Sequence, residues 1–401
     1  MLFRSSGEYL AGASGTIDTS RDVSVGGTFR GVGDKELLCS MLPVPPEELD
    51  DYIRTLHENP SPRTGPLMRD SPELLVEVTA KAAGRLLGPI RVQRRYVAAG
   101  VEIEQVDAGG VQGVYYAPPR TTRQGMPVLV LGGSEGGVPT SQATLLASRG
   151  HPALAFAYFN YRNRPPALVN IPLEQFADAV SWLRTRTKAR NVAIVGTSRG
   201  TEAAQLTAAH LPQGIGAVVL FAPSHVSNAG FGAAVTQPES AWTLRGQGVN
   251  YPPARPELAE RMRAAVSRDA TRAPGFSAAP YFLEAWTDPA GDTEFVIPVE
   301  SIRARVLVFA GTADAMWPSA MAAERIAARM AQHGRARQVQ VVTYPGAGHG
   351  ISRLAYASEL STFAVHPVTK NFVSLGGVAA FNCEAAYDSF GRFLRLLAEV
   401  N

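Results

Sequence analysis

Asn191-Val-Ala-Ile-Val-Gly-Thr-Ser-Arg-Gly200, running on into Thr201-Glu-Ala-Ala-Gln-Leu-Thr-Ala-Ala-His210, is the stretch on which the reading of this chain turns. Residues 192–195 form a short apolar run rich in β-branched side chains, as a buried parallel strand does. Gly196-Thr-Ser-Arg-Gly200 breaks that run, and beyond it Ala-rich sequence takes up helical spacing. A strand, then G-x-S-x-G, then a helix is the context that makes the pattern a nucleophile elbow rather than an ordinary strand-to-helix turn. The two glycines allow a turn in which a Cβ would clash. The turn would hold Ser198 above the sheet edge, at the positive end of the helix that follows.

Outward from the elbow, residues 126–401 alternate strand and helix. Val128-Leu-Val-Leu131 is a buried strand ending in Gly132-Gly-Ser-Glu-Gly-Gly137, and a helix is expected over residues 142–149. Residues 153–159 read as the next strand and residues 173–185 as an amphipathic helix. Strands follow at 217–221, 305–310 and 339–343, with helices from Ser319 and over 385–397. This order predicts a doubly wound, mostly parallel sheet with helices on both faces, and ligands at the carboxyl ends of its strands. Residues 224–296 are irregular and read as a cap-like insertion. The aromatics Phe231, Trp242, Tyr251, Tyr281, Phe282 and Trp286 divide there between an acyl pocket and core packing. Residues 1–120 read as a smaller β-rich domain, with strands at 74–79, 91–97, 101–106 and 111–116 and a Pro- and Arg-rich linker after them. Its one histidine, His57, is expected to lie far from Ser198.

Composition narrows the function classes. The chain has 401 residues, 45% hydrophobic, and a net charge of +3 with Arg scattered rather than clustered, which argues against nucleic acid. No apolar run approaches the about 18 residues of a membrane span, and no apolar signal core follows the N-terminus. Cys39 and Cys383 offer neither a disulfide framework nor a metal cluster, so a reducing, cytoplasmic setting is expected. No metal or other cofactor is expected.

Two further residues complete a constellation. Asp314 lies in Gly311-Thr-Ala-Asp-Ala-Met-Trp-Pro318 and His349 in Tyr344-Pro-Gly-Ala-Gly-His-Gly350, each directly after its own strand. Ser198, Asp314 and His349 come in the chain order of a triad built on a nucleophile elbow. His349 would take the Ser198 proton, while Asp314 would fix the imidazole tautomer and stabilise the imidazolium. Asp288 and Asp292 are weaker candidates because neither follows a strand. The 132–137 loop fits neither G-x-G-x-x-G nor a P-loop with its lysine. It suits an oxyanion hole, whose donors would be the N–H of Glu135 or Ser134 together with that of Arg199.

With those residues in place, the chain resembles the acyl-CoA thioesterase and bile-acid-CoA:amino-acid N-acyltransferase family, related to dienelactone hydrolase. The similar stretches are residues 128–159 (VLVLGGSEGGVPTSQATLLASRGHPALAFAYF), 171–183 (IPLEQFADAVSWL), 196–202, 240–244 (SAWTL), 297–319 and 344–349. Gly27-Thr-Phe-Arg-Gly-Val32, Leu38-Cys-Ser-Met41 and residues 100–115 are similar to the family's N-terminal β-sandwich. On this resemblance that unit starts late, with its first strands missing or its start atypical; Thr201 stands where the family motif usually has a second glycine, and Cys39 where it usually has tryptophan.

The resemblance implies an α/β-hydrolase with a smaller β-sandwich-like N-terminal domain and a thioester substrate on CoA or an acyl-carrier protein. The residues alone imply only acyl transfer. In the family, the N-acyltransferases typically carry Cys and the thioesterases Ser, so Ser198 leans toward hydrolysis. Transfer to an amine or alcohol, an esterase or lactonase activity, and a non-catalytic binding protein of the same fold are the other readings. Arg162, Arg164, Trp242 and Trp317 are candidate substrate contacts. The two arginines suit CoA phosphates or an acceptor's carboxylate. For Arg199 a structural salt bridge at the helix start is preferred over a ligand role.

Overall fold

The computed structural model describes residues 2–5, 8–12, 73–82, 85–95, 97–122, 124–232, 237–253, 255–269, 275–287, 294–352 and 362–400. Residues 13–72 lie outside the described set, and with them His57 and the expectations for residues 27–41.

One eight-stranded sheet organises the chain. Its strands are β1 (Glu102–Ala108), β2 (Val111–Ala117), β3 (Val128–Leu131), β4 (Ala153–Phe156), β5 (Val192–Thr197), β6 (Ile215–Phe221), β7 (Arg305–Gly311) and β8 (Val339–Tyr344), in the spatial order β8-β7-β6-β5-β3-β4-β2-β1. β3 to β8 pair in parallel, and β1–β2 is an antiparallel hairpin at one edge. Residues 102–117, inside the span read from sequence as the N-terminal unit, are part of this large sheet. Their alternation of apolar and polar residues is what an edge strand with one wet face shows in either setting. The N-terminal strands Leu2–Ser5, Glu8–Gly12, Glu73–Ala82 and Arg85–Arg95 form a separate four-stranded antiparallel sheet.

The central strands are apolar on both faces because helices cover both. Val192 and Ile194 of β5 join Leu129, Leu131, Val218 and Leu220 in one core. Ala193 and Val195 point the other way and pack with Val128, Val130, Val219, Leu307 and Phe309, as a side-chain period of two requires. Helices α1 (Thr140–Ser148) and α7 (Ala379–Glu399) cover the second face. On the first face lie α2 (Glu174–Thr187), α3 (Arg199–His210) and α6 (Ser319–Gln332). Between α3 and α6 in sequence come α4 (Pro256–Arg268) and α5 (Ala279–Trp286), both inside the stretch read as a cap. No helix among the described residues is long and apolar enough to cross a membrane. Cys383, on α7, is buried and disulfide-bonded. A disulfide at Cys383 differs from the expectation that the two cysteines offer no disulfide framework.

The segment from Asn228 to Trp242, inside the stretch read as a cap, is tied to α3 through a buried ion pair. Glu202 is fully buried, with Oε1 3.1 Å from Arg199 Nε. Its carboxylate accepts from Asn228 N–H at 3.1 Å, Asn228 Nδ2 at 2.9 Å and Trp242 Nε1 at 2.9 Å. Arg199 in turn donates to the carbonyls of Asn228 and Ala229, both at 3.0 Å. Burial pushes the Glu202 carboxyl up and the Arg199 guanidinium down. Each partner's charge opposes that, as do the Trp242 and Asn228 donors on the carboxylate. Breaking one side of such a pair strands a charge in the interior, whereas removing both often costs little. Glu202→Gln should therefore lower the unfolding free energy in urea by about 3–5 kcal/mol, and Arg199→Met combined with Glu202→Leu by clearly less. Equal losses in the two variants would show that the pair is not what anchors the cap.

Candidate active site

Parallel register sets the site. Gly196 of β5 lies opposite Leu131 of β3 and Leu220 of β6, and Phe221 lies opposite Phe309 of β7, so these strands end in one row. Ser198 N–H still donates to Phe221 O, at 3.0 Å, and the chain then turns at once into α3. That turn holds Ser198 at φ 53°, ψ −124°, a conformation an L-residue adopts only under constraint. The constraint is backbone against backbone. A Cβ on Gly196 would lie 2.2 Å from Gly200 O, and one on Gly200 would lie 2.3 Å from Gly132 O. Thr201, the departure from the family motif, braces the elbow. Its Oγ1 donates to Ser198 O at 2.6 Å and accepts from Ser224 N–H at 3.3 Å.

Asp314 and His349 meet, as the chain order suggested. His349 Nδ1 is 2.9 Å from Asp314 Oδ2 and 3.0 Å from Oδ1. A carboxylate accepts only, so Nδ1 carries the proton and Nε2 is left as the basic nitrogen. Asp314 Oδ1 also accepts from the N–H groups of Met316 and Trp317, at 2.9 and 3.2 Å, which fixes its rotamer. Ser198, Asp314 and His349 are all more than nine-tenths buried. A segment with no sequence signal holds the two loops together. His349 N–H donates to Leu375 O at 2.7 Å, Asp314 pairs with Gly376, and residues 363–365 and 372–374 form a hairpin leading into that contact.

The 132–137 loop faces Ser198. A Cβ on Gly133 would be 2.9 Å from Ser198 Cβ. Tyr158, whose hydroxyl burial raises far above its usual pKa, donates to Gly132 O at 2.7 Å and Gly133 O at 3.3 Å. A trans peptide directs its N–H opposite to its C=O, so the Ser134 N–H points away from Tyr158. Gly133 N–H is taken by Glu135 Oε1 at 3.0 Å. Gly136 and Gly137 donate within the loop and to Phe159 O. The N–H groups of Ser134 and Glu135 have no backbone acceptor among the described residues, so both donors named from sequence stay open. Ser134 has a second partner that sequence did not suggest. Its Oγ is 2.8 Å from His366 Nε2. His366 Nδ1 accepts from Val368 and Thr369 N–H, so the Nε2 proton is donated to Ser134. Burial lowers the His366 pKa, which favours that neutral form.

The candidate substrate contacts separate. Arg164 turns to Gln175 Oε1 and Gly110 O and lies over the Phe156 ring, while Arg162 reaches Gln105 Oε1 at 3.3 Å. Both lean toward the β1–β2 edge of the sheet, away from Ser198. The Arg199 side chain is committed to Glu202 and the cap carbonyls, the salt-bridge reading preferred for it. Trp242 is a core residue donating to Glu202. Trp317 packs its ring edge-on to His349 at 5.7 Å and donates to Ala222 O at 3.1 Å. Above it Trp286 and Phe282 of α5 complete an aromatic cluster. Asp288 and Asp292 lie outside the described residues.

Two family models match the chain. One described as BAAT / acyl-CoA thioester hydrolase C terminal covers residues 171–400, and one described as acyl-CoA thioester hydrolase/BAAT N-terminal region covers residues 1–108. Human acyl-coenzyme A thioesterase 1 is 29% identical over 395 residues, 97% of this chain and 84% of the relative. Mouse acyl-coenzyme A amino acid N-acyltransferase 1 is 30% identical over 367 residues, 89% of this chain and 79% of the relative. Among solved structures, a putative dienelactone hydrolase from Klebsiella pneumoniae aligns with 74% of this chain and 98% of its own, at TM-score 0.41 and 18% identity.

His225, at the base of the cap, gives the pH dependence a sign. It is buried edge-on to Trp286, its Nδ1 has no hydrogen-bond partner among the described residues, and burial followed by the nearby Arg325 charge lowers its pKa to about 3. The unfolded chain takes up that proton near pH 6.5, which the folded protein refuses. Stability contributed by the neutral imidazole is therefore intact above about 6.5 and is lost as pH falls toward 3. Relative to His225→Phe, the wild type should lose about 1.4 kcal/mol per pH unit below 6.5 in urea unfolding. Parallel curves would show that His225 takes up its proton alike in the folded and unfolded states.

Proposed function

The chain belongs to the acyl-CoA thioester hydrolase/BAAT family, and on that premise we propose that it hydrolyses acyl thioesters of CoA through an acyl-Ser198 intermediate. The observation that carries the reading is the bond from His349 Nδ1–H to the Asp314 carboxylate, formed beside the row of strand ends that bears Ser198 on its elbow. With Nδ1–H donated to Asp314, His349 Nε2 is the base for the Ser198 hydroxyl. Ser198 Oγ attacks the thioester carbon, and the oxyanion takes hydrogen bonds from the Arg199 N–H and that of Ser134 or Glu135. The proton held by His349 passes to the departing thiol. The resulting ester is opened by water, whose proton returns through His349 to Ser198 Oγ. Burial of the three residues keeps bulk water from weakening these interactions. The aromatic cluster of Phe282, Trp286 and Trp317 supplies an apolar wall for the acyl chain.

A second reading, transfer to an amino acid, is favoured by the likeness to an amino acid N-acyltransferase. It needs a cation to hold the acceptor's carboxylate, and the arginines near the strand ends are otherwise engaged.

Ser198→Ala should lower thioester turnover by about 10⁵-fold or more and abolish the acyl adduct seen by intact-protein mass spectrometry. Asp314→Asn should cost about 10⁴-fold. Near-wild-type turnover by the Ser198 variant would sink the mechanism.

A further inference from the structure

Beside the nucleophile lies a charged group that the proposed chemistry does not use. Glu135 folds back over its own loop, its Oε1 accepting from Gly133 N–H at 3.0 Å. Glu135 Oε2 and Ser198 Cβ each lie 2.9 Å from the point a Cβ on Gly133 would occupy, so they are separated by at most twice that distance. The charge is felt around the loop. Burial dominates the shifts of Tyr158 and His366, and in both the Glu135 carboxylate is the next contributor. Among the described residues, the arginines near the strand ends are engaged elsewhere. Arg199 is paired with Glu202, Arg164 is bound to Gln175 and Gly110 O, and Arg162 reaches Gln105.

From this we propose that the Glu135 carboxylate determines acceptor specificity, repelling acceptors that carry a carboxylate or sulfonate and so steering the acyl-Ser198 ester to water. The inference rests on the acyl-serine reading above and concerns only the fate of that ester. In aminolysis, the nitrogen of a free amine bonds to the acyl carbon, the bond from that carbon to Ser198 Oγ breaks, and the amine proton passes through His349 to Oγ. An amino acid with its amine unprotonated has a net charge of −1, glycinamide is neutral, and monoprotonated 1,2-diaminoethane is +1. One unit charge at this range, partly screened by solvent, changes the rate by about three- to tenfold. Water feels none of it, so the amide-to-acid ratio reads the field directly and is independent of how fast the ester forms.

The test offers the three amines with hexanoyl-, decanoyl- and palmitoyl-CoA to the wild type and to Glu135→Gln, which keeps an acceptor for Gly133 N–H but loses the charge. Ratios are scaled to free-amine concentration and to each amine's uncatalysed reaction with the same thioester. In the wild type they should rise from glycine to glycinamide to 1,2-diaminoethane. Glu135→Gln should raise the glycine ratio and lower the diamine ratio, each about three- to tenfold, and Glu135→Ala should do the same. Ratios unaltered by both substitutions, or no amide from any amine with any of the proteins, would overturn the inference while leaving the acyl-serine mechanism standing. Absence of an acyl adduct on the wild type with all three thioesters would take down both.

Discussion

The structure depends on a backbone contact that no side chain could replace. Gly200, in the first turn of α3, lies against the carbonyl of Gly132 at the end of β3. This one approach presses the start of the elbow helix onto the neighbouring strand end and brings the 132–137 loop over Ser198. It also explains why the strained Ser198 backbone persists. The residue cannot relax without moving a helix that is buried along nearly its whole length. A Cβ at Gly200 would force the loop and Ser198 apart, altering the geometry that the proposed oxyanion hole needs before it altered the fold.

Around that contact the polar groups form a continuous system. The Arg199–Glu202 pair follows the elbow immediately, and it bonds further to Asn228, Ala229 and Trp242. Asn228 Oδ1 accepts from Trp286 Nε1 at 2.8 Å, Trp286 packs on Trp317, and Trp317 meets the His349 ring. Cap, nucleophile helix and histidine loop are thus linked through groups that each have few alternative partners. Such a network specifies one arrangement more than it adds net stability. It positions Trp286, Trp317 and His349 relative to one another, and the proposed chemistry depends on such positioning.

The loop that forms the roof of the site combines two opposed electrostatic features. Its backbone N–H groups favour a developing negative charge, while the Glu135 side chain places a full negative charge on the same side. His366, neutral and donating to Ser134 Oγ, holds the loop from the far end of the chain without adding charge. In the proposed mechanism, an acyl group on Ser198 would be set in a field that treats neutral and charged acceptors differently, which fold likeness alone does not reveal.

Much of the fold was written locally. The apolar runs at β3, β5, β6 and β7, the glycines at 196 and 200, and the placement of Asp314 and His349 directly after strands are signals carried by neighbouring residues. They determined the parallel sheet and the meeting of Asp314 with His349. Other features depend on distant partners and have no local signature. The 102–117 hairpin alternates like any half-wet strand, and only pairing of β2 with β4 assigns it to the large sheet. Residues 363–376 lack periodicity because the hairpin and the residues after it are held by Phe276, His349 and Asp314 rather than by their own propensity. Trp242, a candidate substrate contact from sequence, and Arg199, read there as a salt-bridge residue, form one buried network because Glu202 bonds to both. The sequence by itself determined which chemistry-bearing residues stand at strand ends. The tertiary structure alone decided which of the remaining charges face Ser198 and which are spent on one another, since a charge finds its partner by distance in space, not by spacing along the chain.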